Sequence, residues 1–553
     1  MISSYVYTGK PYNILIFYTL PRAENSTILN SEHHTLLYKM RSIRTAINHT
    51  THFSLFLKFQ PPSLSSSMAS SDNNISIKLL DKCTVSPPPA LSTDVTVSLP
   101  LTFFDMLWVR FHPVERVFFY KLHSPPSFFF EHVLPKLKTS LSLTLQHFLP
   151  LAGNLLWPSH SDKPILQYNP GDGVSLLIAE SDADFNHLLG YNSPREASET
   201  RCFVPELETL ESRAALMSLQ ITLFPNSGFS IGISTHHASL DGKSSTMFIK
   251  AWASICQSLE EEQKESPILV RELEPFFDRK VIKDAKDVGP SFLNNRSDVM
   301  SKMFPDENNV KKSLKILPFE PKVKDSVRAT FKLTRSDLEK VKKKVLSNWN
   351  SNVNNGDDEE STNTPPSTLS TFVLTCSYVL VCIAKAINGI FKEKQKFGFA
   401  FTGDCRKRLE PPIPENYCGN CLWANFVDAK PEDFVKENGV VLVAKGIYKK
   451  TKMLGIEGFR GVESSAFDKY MNMAKEGVEM IGIAGSNRFG VYGIDFGWGK
   501  PEKVEIASID RGLTMGLAEN SDGNEGGVEV GLVLNKQVMD LFRTLFREGL
   551  EDD

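Results

Sequence analysis

Two histidines stand side by side at His236 and His237, and a carboxylate follows four positions after the second in His237-Ala-Ser-Leu-Asp241-Gly242. A neutral imidazole near physiological pH can take a proton from a hydroxyl as that oxygen becomes a nucleophile, which is what acyl transfer to an alcohol requires. By itself the pair is more often the mark of a structural histidine than of a catalytic one, because His-x-x-x-Asp recurs by chance. A zinc site is a poorer reading: residues four apart share a helix face, but no third ligand lies at a zinc-like spacing. Near the C-terminus, Tyr492-Gly-Ile-Asp495-Phe-Gly497-Trp498-Gly499-Lys-Pro501 packs two glycines around an aromatic. That composition predicts a tight turn with unusual backbone angles. Its Asp-Phe-Gly letters imitate a kinase, yet no His-Arg-Asp loop or early Gly-rich hairpin accompanies them. Cys418-Gly-Asn-Cys421 has the spacing of a redox or zinc pair but no second pair and no thioredoxin-like setting. Arg406-Lys407-Arg408, followed by Pro411-Pro412, is too short for a nucleic-acid patch. A hydrolase would need an activated serine, and no Gly-x-Ser-x-Gly elbow is present.

The elements around these residues say how they are positioned. Residues 214–236 read as a hairpin turning at Pro225-Asn-Ser-Gly228, and Lys243 to Leu259 carries Met247, Phe248, Ala251, Trp252 and Ile255 at helical spacing. His237 therefore sits where a strand gives way to a helix, a junction with free backbone NH groups nearby. A buried strand is predicted after Pro113, through Val117-Phe-Phe-Tyr120, and an amphipathic helix over residues 131–148. Residues 260–326 are charged and Pro-containing, like a connection between domains. Beyond them the pattern predicts a strand at Arg328 to Leu333, helices near Ser336 to Leu346 and Ser370 to Ile387, and a mobile polar insert at Asn354 to Glu360. Further strands are expected at Lys396 to Thr402, Gly490 to Asp495, Lys503 to Ile509 and Gly527 to Leu534, and a last helix carries Val538, Leu541 and Leu545. Helices and strands alternate in both halves, the pattern of an α/β protein.

Length and composition bound the rest. A chain of 553 residues exceeds the roughly 250 to 300 that one core supports, so at least two domains are expected. Its formal net charge of -3 gives no general attraction to nucleic acid or an anionic membrane. No uninterrupted apolar run of roughly 18 to 20 residues marks a membrane span. Eight cysteines in so long a chain form no disulfide framework, which points to a reducing, cytoplasmic setting. Residues 1–67 hold only Glu24 and Glu32 against six basic side chains and end in a Ser-rich tract. Such a leader is either a transit peptide or an extension ahead of a natural start at Met68, where folded patterns soon begin.

His237-x-x-x-Asp241-Gly242, with Asp495-Phe-Gly-Trp-Gly499 some 250 residues later, resembles the paired signatures of the plant BAHD acyltransferases over about residues 75 to 550. The resemblance implies two α/β domains of the chloramphenicol-acetyltransferase type with a solvent channel between them, where an acyl-CoA and its acceptor meet. The expected division is a leader at 1–67, a first domain at 68–275, a crossover at 276–326 and a second domain at 327–553. Tyr417-Cys-Gly-Asn-Cys421 is similar to the Tyr-Phe-Gly-Asn-Cys element of the anthocyanin and phenolic-glucoside malonyltransferase branch, with Cys418 in place of phenylalanine. Thr102-Phe-Phe-Asp, Pro113 to Tyr120 and Gln220 to Asn226 look like the same branch.

The resemblance further implies direct transfer, with His237 as general base and no permanently bound cofactor or metal. Malonyl-CoA would be the cosubstrate and a phenolic or flavonoid glucoside the acceptor. Asp241 would anchor its loop by an ion pair with Arg406 or Arg408, while Asp495, Gly497, Trp498 and Gly499 would shape the coenzyme channel. Arg213 is the expected clamp for the malonyl carboxylate, since a guanidinium binds carboxylates through a bidentate fork. A monomer is expected. Two rivals stand beside this reading: the same fold with an acetyl- or hydroxycinnamoyl-CoA donor, and a catalytically silent paralogue that binds CoA esters.

Overall fold

The computed structural model describes residues 7–9, 12–14, 75–89, 96–190, 193–259, 269–283, 312–317, 325–350, 365–392, 395–427, 430–456, 472–473, 475–523 and 526–551. The chain divides into two units, Met1–Asp72 and Asn73–Asp553. In the first, Tyr7–Gly9 pairs antiparallel with Tyr12–Ile14; the rest of the predicted leader lies outside the described residues, as does the polar insert at 354–360. Everything below concerns the second unit.

Its first half supplies strands β1 (Ile77–Val85), β2 (Val114–Lys121), β3 (Val174–Ser181), β4 (Met217–Phe224) and β5 (Gly228–Thr235), with helices α1 (Leu134–His147) and α2 (Gly242–Ser258). Its second half supplies β6 (Ser326–Leu333), β7 (Lys396–Asp404), β8 (Leu422–Phe426), β9 (Val478–Gly485), β10 (Lys503–Ile506), β11 (Thr514–Glu519) and β12 (Val528–Asn535), with α3 (Thr371–Phe391) and α4 (Lys536–Glu551). Two large mixed sheets result. One runs β10-β2-β5-β4-β3-β1, the other β8-β7-β9-β11-β12-β6 with the short strand Arg195–Glu196 at its edge.

Alternation explains why the first sheet is buried on both faces. Along β2, Phe118 and Tyr120 join the core under α1 and α2, whereas Val117 and Phe119 point the other way, onto Phe185, Phe203 and Phe224. In the hairpin of β4 and β5 every strand residue is buried, including the polar Ser218, Gln220 and Thr222 that alternate with the apolar residues of β4. Its register is fixed by the turn at Pro225 to Ser227, where Asn226 takes φ 60°, and by Gly228, at which a Cβ would meet the Tyr120 carbonyl oxygen at 2.3 Å. In the second half, α3 has the length and apolarity of a membrane span, but it is mostly buried against the other sheet and α4, as a core helix is.

The two halves exchange strands. β10 lies beside β2 in the first sheet, with Ile506 opposite Arg116, and Arg195–Glu196 pairs with β6 in the second. Both segments cross a sequential division at residue 327. Sequence patterning also expected a strand over Gly490 to Asp495; the structure has a 3-10 turn at Val491–Gly493 there. Gly490 sits at φ 63°, and the chain curls so that Tyr492 can reach Glu529 through its hydroxyl at 2.6 Å. Likewise β10 ends at Ile506, and residues Ala507–Arg511 form a further 3-10 turn.

Candidate active site

β5 ends at Thr235 and α2 begins at Gly242, so the intervening loop presents His237 just past the end of an interior strand of the first sheet. The ring is half-buried: it stacks on Trp108 with centroids 3.8 Å apart and planes within 4°, and the edge of Phe111 closes a second side at 5.8 Å. Nδ1 is buried with no hydrogen-bond partner among the described residues, which leaves Nε2 to act on a substrate. Burial pulls the imidazole pKa down to about 3, against the raising influence of its own carbonyl and of Asn420. The ring is therefore neutral at physiological pH and ready to accept a proton.

His237 lines a cavity of about 2060 Å³ whose walls come from both halves, including Trp108 and Lys243 from the first and Phe372, Ala400 and Phe426 from the second. Its neighbour His236 is buried and accepts a hydrogen bond on Nδ1 from the Ala238 amide, a structural role.

Asp241 does not touch His237. It is fully buried at the N-cap of α2, where Oδ1 accepts from the Ser244 amide at 2.8 Å. Oδ2 accepts from the Cys421 amide at 3.2 Å and pairs with Arg406 at 2.9 Å. Of the two arginines the sequence left open, Arg406 is thus the partner. It is itself fully buried and donates to the carbonyls of Tyr417 and Gly419 and to Ser244 Oγ. Burial disfavours its charge, but Asp241 and then Asp404 outweigh this and hold the guanidinium above its ordinary value. Arg408 is exposed at the cavity margin and donates to the Asp404 carbonyl.

Three residues that sequence reading gave no role complete the frame. Asn420 donates through Nδ2 to the His237 carbonyl at 2.8 Å and to Asp105 Oδ1 at 3.0 Å. Asp105 is fully buried, and its other oxygen accepts from the amide and hydroxyl of Thr102. Arg279 donates to the Tyr417 hydroxyl at 2.7 Å and the Cys418 carbonyl at 2.8 Å; a Cβ at Gly419 would lie 1.9 Å from it. The Tyr417 to Cys421 segment is therefore the piece of the second half that grips the His237 loop. A signal was present, since Asn420 and Asp105 fall in motifs singled out for their resemblance, but contacts over 315 residues leave no trace in spacing.

The second signature does different work. Asp495 Oδ1 accepts from the amides of Gly497 at 2.7 Å and Gly499 at 3.0 Å, closing a turn in which the two glycines take φ 107° and 103°. Phe496 packs edge-on against Trp252 of α2 at 4.9 Å and Tyr120 of β2 at 5.8 Å, and Trp498 meets Phe229. None of Asp495 to Gly499 lines the cavity. Arg213 is not at the cavity either. It stands exposed, 3.7 Å from Glu208, on a short strand Arg213–Ala215 that pairs with Asn154–Leu156 in a separate sheet, not with β5. Among the described residues no group of three or more His, Cys, Asp or Glu is placed to hold a metal ion.

Comparison with known proteins shows the family to which the chain belongs. Residues 76–548 match the model of the family described as Transferase family. The chain is 40% identical over 490 residues to phenolic glucoside malonyltransferase 1 of Arabidopsis thaliana, covering 88% of this chain and 100% of that one. It is 38% identical over 484 residues to the Arabidopsis thaliana malonyl-CoA:anthocyanidin 5-O-glucoside-6''-O-malonyltransferase, covering 86% and 99%. Among solved structures, vinorine synthase shares the fold with a TM-score of 0.58 at 18% identity, over 84% of this chain and 96% of that one. The chain belongs to this transferase family, the BAHD acyl-CoA-dependent acyltransferases.

Proposed function

We propose that the protein transfers a malonyl group from malonyl-CoA to a sugar hydroxyl of a phenolic or flavonoid glucoside, with His237 as general base. The observation that carries the chemistry is the neutral imidazole of His237 held against Trp108 at the wall of a cavity built from both halves. The malonyl donor and glucoside acceptor are supported by the relatives just named and by the Tyr417 to Cys421 element.

In this reading both substrates occupy the cavity together. Nε2 of His237 takes the hydroxyl proton as the oxygen forms a bond to the thioester carbonyl carbon. The tetrahedral oxyanion then collapses, the carbon–sulfur bond breaks, and the CoA thiolate leaves as its protonated thiol with the proton His237 held. Burial makes a lone imidazolium costly, and the oxyanion that forms beside it is the compensating charge. Asp241 contributes by holding the loop, since both of its oxygens are engaged elsewhere. We read the protein as a cytoplasmic monomer; its eight free cysteines, most of them buried, support a reducing compartment.

The test is a mass-spectrometric screen of the protein begun at Met68, offering malonyl-, acetyl- and hydroxycinnamoyl-CoA against a panel of phenolic glucosides. Malonylated glucoside as the main product is expected. Preference for another donor would overturn the malonyl assignment, and no transfer from any acyl-CoA would favour a silent paralogue.

A further inference from the structure

Among the cations around the cavity, Arg116 differs in how it is held. It projects from β2, opposite Ile233 of β5 and Ile506 of β10, and is buried with 4% of its surface exposed. Arg406, buried on the same cavity, pairs directly with Asp241, whereas the buried Arg279 and Arg328, which donate to backbone carbonyls, do not line it. Arg116 instead donates from Nη1 to Thr246 Oγ1 at 3.0 Å and forms no ion pair with a described residue. Lys250, one helical turn beyond Thr246 on α2, lines the same wall and likewise has no acidic partner within ion-pair distance among the described residues. The carboxylate acting on both is Glu519, and it is turned to the Tyr492 amide, which it accepts at 2.7 Å. The same carboxylate thus acts on both cations and pairs with neither.

A charge placed this way costs stability, because burial without an ion pair disfavours the guanidinium and lowers its pKa to about 10. Thr246 is the fifth residue of α2, whose N-cap Asp241 belongs to the loop that carries His237, and the guanidinium and the base line one cavity. The acyl group that would need a fixed positive charge there is one with its own carboxylate close to the thioester carbonyl.

We propose that Arg116, supported by Lys250, binds the free carboxylate of a dicarboxylic acyl-CoA, the role that sequence reading gave to Arg213. The inference rests on the malonyl-donor reading above and names the residue that enforces it. Arg116 is a substrate-binding residue that sorts donors by charge; the proton transfer remains with His237.

The experiment measures kcat/KM for malonyl-CoA and acetyl-CoA with one accepted glucoside, in the native protein, Arg116→Met and Arg116→Lys, with thermal unfolding of each. In Arg116→Met the malonyl-to-acetyl ratio is expected to fall by about ten- to a hundredfold, the scale of losing charged hydrogen bonds, mainly through the KM of malonyl-CoA. Arg116→Lys should recover part of that ratio. Unfolding of Arg116→Met at an equal or higher temperature is expected, since the change removes a buried charge without an ion pair. A ratio unchanged in a folded Arg116→Met protein overturns the inference, because the CoA phosphates are common to both donors. Should Arg116→Met not fold, an unchanged ratio in Lys250→Met together with Arg116→Lys overturns it equally. Native protein that favours acetyl-CoA refutes the malonyl reading itself, a separate outcome visible before any substitution is made.

Discussion

Asp241 and Asp495 are both carboxylates that gather backbone NH groups, and both belong to signatures, yet they hold different things. Asp241 is fully buried, caps α2, and meets Arg406 in a low-dielectric setting with its second oxygen. Asp495 is half-buried, has no ion pair among the described residues, and spends one oxygen on two glycine amides of its own turn. The first joins the two halves of the molecule beside the base. The second shapes a plug, Phe496, that presses on α2 and β2 from behind the cavity. A short motif reports that backbone geometry matters at a place; what the geometry serves depends on which wall of the fold it supports.

That contrast can be pressed by substitution. The largest expected effect is at Arg406→Met, which leaves Asp241 charged and buried alone and should lower stability by about 3–5 kcal/mol in chemical denaturation. Arg408→Met, on the exposed neighbour, should change it by no more than about 0.5 kcal/mol. Equal losses would mean the loop is not anchored through Arg406. Next is Asp495→Ala, which frees two amides from a single acceptor and should cost about 1–3 kcal/mol. If Asp495 only shapes a turn, the folded variant keeps kcat near the native value; a hundredfold fall in kcat at full folding would place Asp495 in the chemistry.

The smallest effect is read from pH. Burial holds His237 near a pKa of about 3 and His112 near about 4, both below the ordinary histidine value of 6.5. The unfolded chain therefore binds more protons than the folded one between roughly pH 6.5 and 3, so stability contributed by these rings is present above pH 6.5 and is lost as pH falls through that window. For turnover, kcat/KM should show no inflection near pH 6.5 that belongs to His237. An ordinary histidine titration there that persists in His112→Gln would show the base to be more solvated than the stacked ring allows.

Much of this was legible in the sequence. The β4–β5 hairpin, its turn at Pro225 to Ser227, the strand-to-helix junction at His237 and the α/β alternation all follow from local periodicity and turn chemistry, and the structure has them. The Gly490 to Asp495 strand was misread because apolar Val491, Tyr492 and Ile494 fill a core from a curled segment as readily as from a strand. Arg213 was misplaced for a related reason. Ala215 and Met217 look continuous in sequence, but the strand breaks between them and Arg213 turns into another sheet. Arg116, Asn420 and Asp105 owe their importance to partners 130 or more residues away, which periodicity cannot register.

The most direct measurement is kcat for His237→Ala beside its thermal unfolding, with the donor and acceptor that the native enzyme prefers. With Nδ1 buried and only the ring removed, unfolding should shift by a few degrees at most, while kcat falls by about a hundredfold or more. Turnover within about threefold of native in a folded His237→Ala protein would contradict His237 as the base that starts acyl transfer.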